Sequence, residues 1–221
     1  MKKKKIKYYS PLIILFVIFI LASSINSFLI TINPSINNEV IINNEYKVLE
    51  DKYNKLLQAN EFLEKSNLNL IISQVKYRNI YNFKEEVTIY KGYLDGIKKD
   101  APVVTENGLI GIVKTTYKHS SVVRLITNHE SNISVKINNC YGILKYIDNT
   151  LIVDNLSNYD DVNINDPIYT SGIGTLPGDI YIGKVSDIKL NNTGIEKIIK
   201  VNLSANINDL SYLYVYGDNN V

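Results

Sequence analysis

The hydrophobic pattern changes character twice along the chain. Leu12 to Ala22 is unbroken apolar, and an uncharged stretch diluted by Ser23, Ser24, Asn26 and Ser27 continues to about Ile32. At ~1.5 Å per residue, a helix from Leu12 to Ile30 would be about 28 Å long, close to the hydrocarbon thickness of a bilayer. The pattern predicts a transmembrane helix over residues 11–32. Ile25, Phe28, Leu29, Ile30 and Ile32 extend it past Ala22-Ser23-Ser24, which favours a retained anchor. The small residues at that site keep a cleaved signal peptide open as the rival reading.

After Asn33-Pro34 the apolar residues recur alternately at three and four, and Glu39 to Gln74 contains no Gly or Pro. With Ile42, Leu49, Leu56, Leu63 and Leu70 at d, the a positions are Tyr46, Tyr53, Asn60, Asn67 and Gln74. Leu at d with Asn at a favours a parallel two-stranded coiled coil, because an a-position Asn pairs with its twin and is stranded in other registers. The expectation is a dimerisation helix over 39–78, with Tyr46, Leu49, Tyr53, Leu56, Asn60, Leu63, Asn67 and Leu70 in the seam. Glu45 would face Glu50 of the partner, and Leu57 and Ile71 widen the apolar face. One amphipathic helix packed on its own body therefore stays open as the alternative.

From Glu86 the period becomes two, and short β-branched runs alternate with turn signals. Pro102 to Thr105 and Leu109 to Val113 flank Glu106-Asn107-Gly108, where Asn-Gly predicts a tight hairpin. Gly142 to Ile147 and Thr150 to Asp154 flank Asp148-Asn149 in the same way. Further strands are expected around Val87 to Tyr90, Ser121 to Ile126, Ile133 to Ile137, Pro167 to Thr170, Ile180 to Ile188, Ile198 to Leu203 and Ser211 to Tyr216. The predicted fold class is mainly β: a transmembrane helix and a coiled-coil helix, then two small antiparallel barrels within 86–217. The acidic, Asn-rich stretch 160–166 is the expected junction between them.

Charge sharpens this picture. The chain has 221 residues, 24 Lys and Arg, and 22 Asp and Glu. Lys2, Lys3, Lys4, Lys5 and Lys7 all precede the first acidic residue, Glu39, which leaves 19 basic groups in the remainder against 22 acidic ones. The basicity is a tail, expected in the cytoplasm over 1–10, with the body outside the membrane. A mildly acidic body without a Lys/Arg cluster lacks the electrostatic footprint for nucleic acid. The single Cys140 excludes an intramolecular disulfide, and two histidines cannot by themselves close a structural zinc site. No cofactor loop is present, because Gly108 and Gly111 lack the strand-loop-helix context and lysine of a phosphate loop.

Thr170-Ser171-Gly172 raises serine chemistry, since barrel pairs also build chymotrypsin-like proteases. A serine nucleophile needs a histidine base and an acid to orient it. His119 and His129 are the only candidates, and both sit in turn-like context. The glycines of that loop are better explained as tight bends than as chemistry. Cys140 has no adjacent basic residue and reads as a small strand residue. Catalytic, metal and cofactor-binding residues are therefore expected to be none.

Four motifs occur in order: Asp95-Gly96-Ile97 followed by Lys99 to Val103; Thr105 to Val113, with Asn107, Gly108 and Gly111; Ser120-Ser121-Val122-Val123-Arg124-Leu125 followed by Ser131 and Ser134; and Thr170-Ser171-Gly172-Ile173-Gly174 followed by Pro177 and Gly183. With the basic tail, single span and heptads before them, they resemble the bacterial rod shape-determining MreC family across essentially the whole chain. The last motif departs by one missing residue near Thr175 to Pro177, with Leu176 where the family pattern has an aromatic. The resemblance implies a dimeric, single-pass scaffold of the cell membrane with an extracytoplasmic body. Its implied partners are a second copy, other shape-determining membrane proteins and a penicillin-binding transpeptidase. It implies no cofactor and no catalysis. The residues alone also leave open a membrane-anchored sensor or adhesin, and the protease.

Overall fold

The computed structural model describes residues 15–25, 34–66 and 68–217, which fall into two units, Met1–Asn54 and Lys55–Val221. Residues 15–25 are helical (α1), in the middle of the expected span; the rest of that span and the basic tail lie outside the described residues. Among the described residues no helix is long and apolar enough to cross a membrane.

Helix α2 runs Pro34–Lys65. Proline suits the first helical position because its missing N–H would have no partner there anyway. The helix closes where the Ser66 amide donates to Phe62 and Leu63 carbonyls at 2.9 and 3.2 Å. This corrects the expected helix to residue 78. Leu70–Tyr77 is a strand, β1, so Leu70 and Gln74 leave the heptad register, and Asn67 lies outside the described residues. The segment reads equally as heptads or as alternation. Alternation prevails because Ile71 and Val75 enter one barrel core while Leu70 and Ile72 pack against the neighbouring cluster.

The remaining strands are β2 Glu86–Ile89, β3 Pro102–Thr105, β4 Gly108–Thr116, β5 Ser121–Leu125, β6 Asn132–Ile137, β7 Cys140–Ile147, β8 Thr150–Ser157, β9 Pro167–Ser171, β10 Gly178–Leu190, β11 Glu196–Leu203 and β12 Tyr212–Tyr216. They close two antiparallel barrels, ordered β1-β12-β3-β4-β5-β2 and β10-β11-β8-β7-β6-β9. The second barrel is thus inserted between β5 and β12 of the first. The chain crosses over at 126–131 and returns at 204–211, which corrects the expected junction. The stretch 160–166 is a loop between β8 and β9, inside the second barrel. There Asp166 accepts from the Asn163 amide and the Asn138 side chain, both at 2.8 Å.

Alternation builds each core. Ser121, Val123 and Leu125 of β5 are buried between half-buried Val122 and Arg124, and Ile133, Val135 and Ile137 of β6 repeat the pattern. Val87, Ile89, Ile110 and Leu213 belong to the first barrel's core. A second cluster fills the other barrel and continues through Leu109, Ile126 and Tyr214 to Ala59 of α2. The second barrel, a few residues of the first and the end of the helix therefore share one apolar cluster.

The two predicted hairpins differ. Asp148 and Asn149 both adopt positive φ, 47° and 59°, between paired Ile147 and Thr150, as a two-residue primed turn requires. In the other, Thr105 pairs with Gly108, so Glu106-Asn107 is the turn, and the positive φ of 135° falls on Gly108.

Candidate interaction surfaces

The a and d residues of α2 divide into two groups. Ile42, Tyr46, Leu49, Tyr53 and Leu56 are exposed, from 39 to 67%. Three residues beyond Leu56 the helix begins to pack on its own barrel. Ala59 is buried, and Phe62 and Leu63 rest on the shared core. The Phe62 and Tyr214 ring centroids are 4.6 Å apart. The Tyr214 hydroxyl lies 3.2 Å from the Ala59 carbonyl oxygen and 3.1 Å from Glu106 Oε1, so its one proton is shared between two acceptors. Burial, reinforced by the nearby Glu106 carboxylate, raises the pKa of Tyr214 and keeps it neutral. Asn60 is exposed beside these contacts.

The motif residues are tied to backbone. Asp95 accepts from the Gly92 amide at 2.9 Å and from Lys91 Nζ at 3.3 Å; its pKa is lowered first by the amide bond and then by Lys91. Gly96 follows with φ 89°. Ser120 accepts the Tyr117 amide through its carbonyl, Ser121 Oγ donates to the Lys91 carbonyl at 2.8 Å, and Ser131 Oγ donates to Leu125 at 2.8 Å.

Several glycines mark close backbone approaches, Gly108, Gly111 and Gly183 among them. A Cβ on Gly111 would stand 2.3 Å from the Arg124 carbonyl oxygen, and one on Gly183 would stand 2.2 Å from that of Asn202. One on Gly108 would stand 2.5 Å from the Tyr181 carbonyl oxygen. Gly108 belongs to the first barrel and Tyr181 to the second, so this glycine lets the barrels meet.

The Thr170-Ser171-Gly172 segment is likewise a fastening. The buried Thr170 hydroxyl donates to the Pro177 carbonyl at 2.6 Å and accepts from the Ile180 amide at 3.0 Å, which closes the loop over Gly172 and Gly174, both at positive φ. Ser171 Oγ donates to Ser134 Oγ at 2.8 Å and accepts from the Ile173 amide at 3.0 Å. The histidines have other neighbours: His119 Nδ1 lies 3.7 Å from Asp95, and His129 Nδ1 lies 3.6 Å from Glu85. Cys140, on β7, has its thiol pKa raised by burial, away from the reactive thiolate. Among the described residues no three His, Cys, Asp or Glu side chains gather as a metal site.

The family model described as rod shape-determining protein MreC, barrel core, matches residues 75–217. The chain belongs to the MreC family. The cell shape-determining protein MreC of Listeria monocytogenes is 31% identical over 147 residues, covering 62% of this chain and 50% of that protein. The chain spans about half the length of the curated relatives it matches. The solved MreC of Listeria monocytogenes superposes with a TM-score of 0.64 at 27% identity, over 78% of this chain and 90% of its own. A complex between penicillin-binding protein PBP2 and MreC from Helicobacter pylori contains a likeness with a TM-score of 0.53 at 19% identity, over 67% of this chain and 99% of the other. At that identity the likeness is one of fold.

The helix residues seated on the barrel that sequence reasoning missed are Ala59 and Phe62. Neither is at a or d, and what selects them is Tyr214 on the last strand, a residue with no local signal in the helix.

Proposed function

We propose that the chain is a membrane-anchored, dimeric, non-enzymatic scaffold that maintains cell shape. In this reading it links cytoskeletal and membrane shape proteins to peptidoglycan synthases, including a penicillin-binding transpeptidase. The observation that carries the reading is the division of α2. An exposed heptad stripe over Ile42 to Leu56 is available to a second copy, and Ala59, Phe62 and Leu63 seat the end of the helix on the barrel beside Tyr214. The apolar run before it, led by lysines, supports an anchor with the body outside the cytoplasm. Membership of the MreC family, and the penicillin-binding protein PBP2 in complex with the Helicobacter pylori MreC, support the partner class. The absence of catalysis is supported by Ser171, whose hydroxyl is engaged by Ser134 and Ile173 while both histidines lie beside other acids.

Depleting the chain from its own cells should round and widen them and disperse the transpeptidase from sites of wall growth. Re-expressing the chain with Ser171→Ala should restore both. Unchanged shape on depletion would contradict the reading.

A further inference from the structure

Two features meet beside the crossing between the barrels, and the helix uses neither. The first is a 3-10 turn at Ile80–Asn82. Arg78 braces it: Nη1 donates to the Ile207 carbonyl at 2.7 Å, Nη2 donates to the Phe83 carbonyl, and the guanidinium carbon lies 3.4 Å from the Phe83 ring centroid. Asn79 Oδ1 accepts from the Tyr81 amide at 3.0 Å, and the Glu85 amide donates to Asn82 at 2.8 Å. A turn tied at this many points is rigid, yet Ile80 is 83% and Tyr81 96% exposed. A backbone already held in place loses little entropy when a partner covers the side chains it carries.

The second feature is a cleft of about 300 Å³ that opens between the barrels beside this turn. Lys84 lines it from the first barrel, Thr127 from the crossing, and Leu151, Lys200 and Leu203 from the second barrel. It shares Ile207 and Asn208 with the contacts of Arg78. The backbone of Lys84 is fixed, since the Thr127 hydroxyl donates to its carbonyl. The lining holds two lysines and no acidic residue. Lys114, Lys136 and Lys145 have carboxylate partners elsewhere on the body, whereas Lys84 and Lys200 have none among the described residues.

We propose that this cleft and the Ile80–Tyr81 turn form one docking surface for an acidic, apolar-bearing segment of a protein partner. The partner is the transpeptidase of the reading above, on which this inference rests. A carboxylate seats between Lys84 and Lys200, and apolar groups cover half-buried Leu203 and the exposed faces of Ile80 and Tyr81. An anionic wall polymer would satisfy the lysines but leave Ile80 in water, so the combination fits a protein.

The test titrates the full chain, in detergent micelles, with the soluble extracytoplasmic part of the cell's elongation transpeptidase at low and high salt. Two double variants, Lys84→Glu with Lys200→Glu and Ile80→Ser with Tyr81→Ser, are compared with a control at Tyr117 and Lys118. All these positions are exposed, so unchanged thermal unfolding establishes that the variants are folded. Each site variant should weaken binding by about tenfold or more. The lysine pair should also flatten the salt dependence, and the control should match the wild type. Wild-type affinity in both site variants would overturn the docking surface alone. Loss confined to the lysine pair would point to an anionic polymer and overturn it too. No binding by the wild-type chain would overturn the partner reading and this inference together.

Discussion

The Phe62 and Tyr214 rings, centroids 4.6 Å apart and tilted by 46°, join the last turns of α2 to the final strand of the first barrel. The pair is 152 positions apart in sequence, so the helix has its seat only when the last strand, which follows the second barrel, is in place. The contact seats the end of the helix, from Ala59 to Leu63, on the folded body.

Replacing Tyr214 by Phe keeps the ring contact and removes the hydroxyl that serves Ala59 and Glu106. The expected cost is about 1 to 2 kcal/mol, because the hydrogen bond that the buried hydroxyl shares between Ala59 and Glu106 is lost. Phe62→Ala should cost about 2 to 3 kcal/mol, below the usual value for a fully buried Phe because Phe62 is only partly buried. Urea unfolding of the full chain in detergent measures both, and equal stability in the two variants and the wild type would contradict the seat.

Glycines here should differ in tolerance for stated reasons. Gly111→Ala and Gly183→Ala each place a Cβ within 2.3 Å of a carbonyl oxygen, so strands must separate; losses of about 3 kcal/mol or more are expected. Gly174→Ala meets nothing within 4 Å and bears only the strain of φ 98°, about 1 kcal/mol. The ordering in thermal unfolding is the test, and Gly174→Ala as the most damaging of the three would overturn it.

In the loop after β9, the two adjacent hydroxyls should behave differently. Thr170→Val strands the Pro177 carbonyl and the Ile180 amide in a buried site and should cost about 2 to 3 kcal/mol. Ser171→Ala should cost about 1 kcal/mol or less and leave shape complementation intact. Loss of function in a folded, normally abundant Ser171→Ala protein would reopen catalysis.

Asp95 gives a pH dependence whose sign follows from its lowered pKa. Its folded value lies below the ordinary 3.8, so the stabilisation it supplies is fully present above about pH 4 and is lost as pH falls through the folded value. Asp95→Asn should therefore unfold earlier than wild type at pH 7, with the difference vanishing in strong acid. A difference that grows as pH falls would contradict the assignment of the amide bond from Gly92 and the contact with Lys91.

Short-range features were legible. The period-two runs placed most strands of both barrels, and Asp148-Asn149 announced a turn that needs two positive φ values. Long-range features were not. Nothing near Leu70 signals that it pairs with Tyr216, and the heptad spacing of Leu63 and Leu70 carried the expected helix across a boundary that strand pairing enforces. The junction was misplaced because the acids of 160–166 are those of any solvated loop, whereas the true crossings are short and carry buried Ile126 and Ser131. Asn107-Gly108 named a hairpin correctly but not its centre, since the turn advances to Glu106-Asn107 and leaves the positive φ to the glycine. Of the motif residues, the glycines were readable as tight positions, while the pairing of Ser171 with Ser134 depends on strands 37 residues apart.

The division of α2 is tested most directly by cysteine cross-linking in membranes. In a full-length chain carrying Cys140→Ser, a single cysteine replaces either Tyr53, on the exposed stripe, or Leu63, on the barrel-packed end. A parallel pair brings the two copies of position 53 within disulfide reach, and the seating of Leu63 on its own core keeps position 63 apart. Mild oxidation should therefore give a covalent dimer for Tyr53→Cys and none for Leu63→Cys. Cross-linking at 63, or none at 53, would contradict the account.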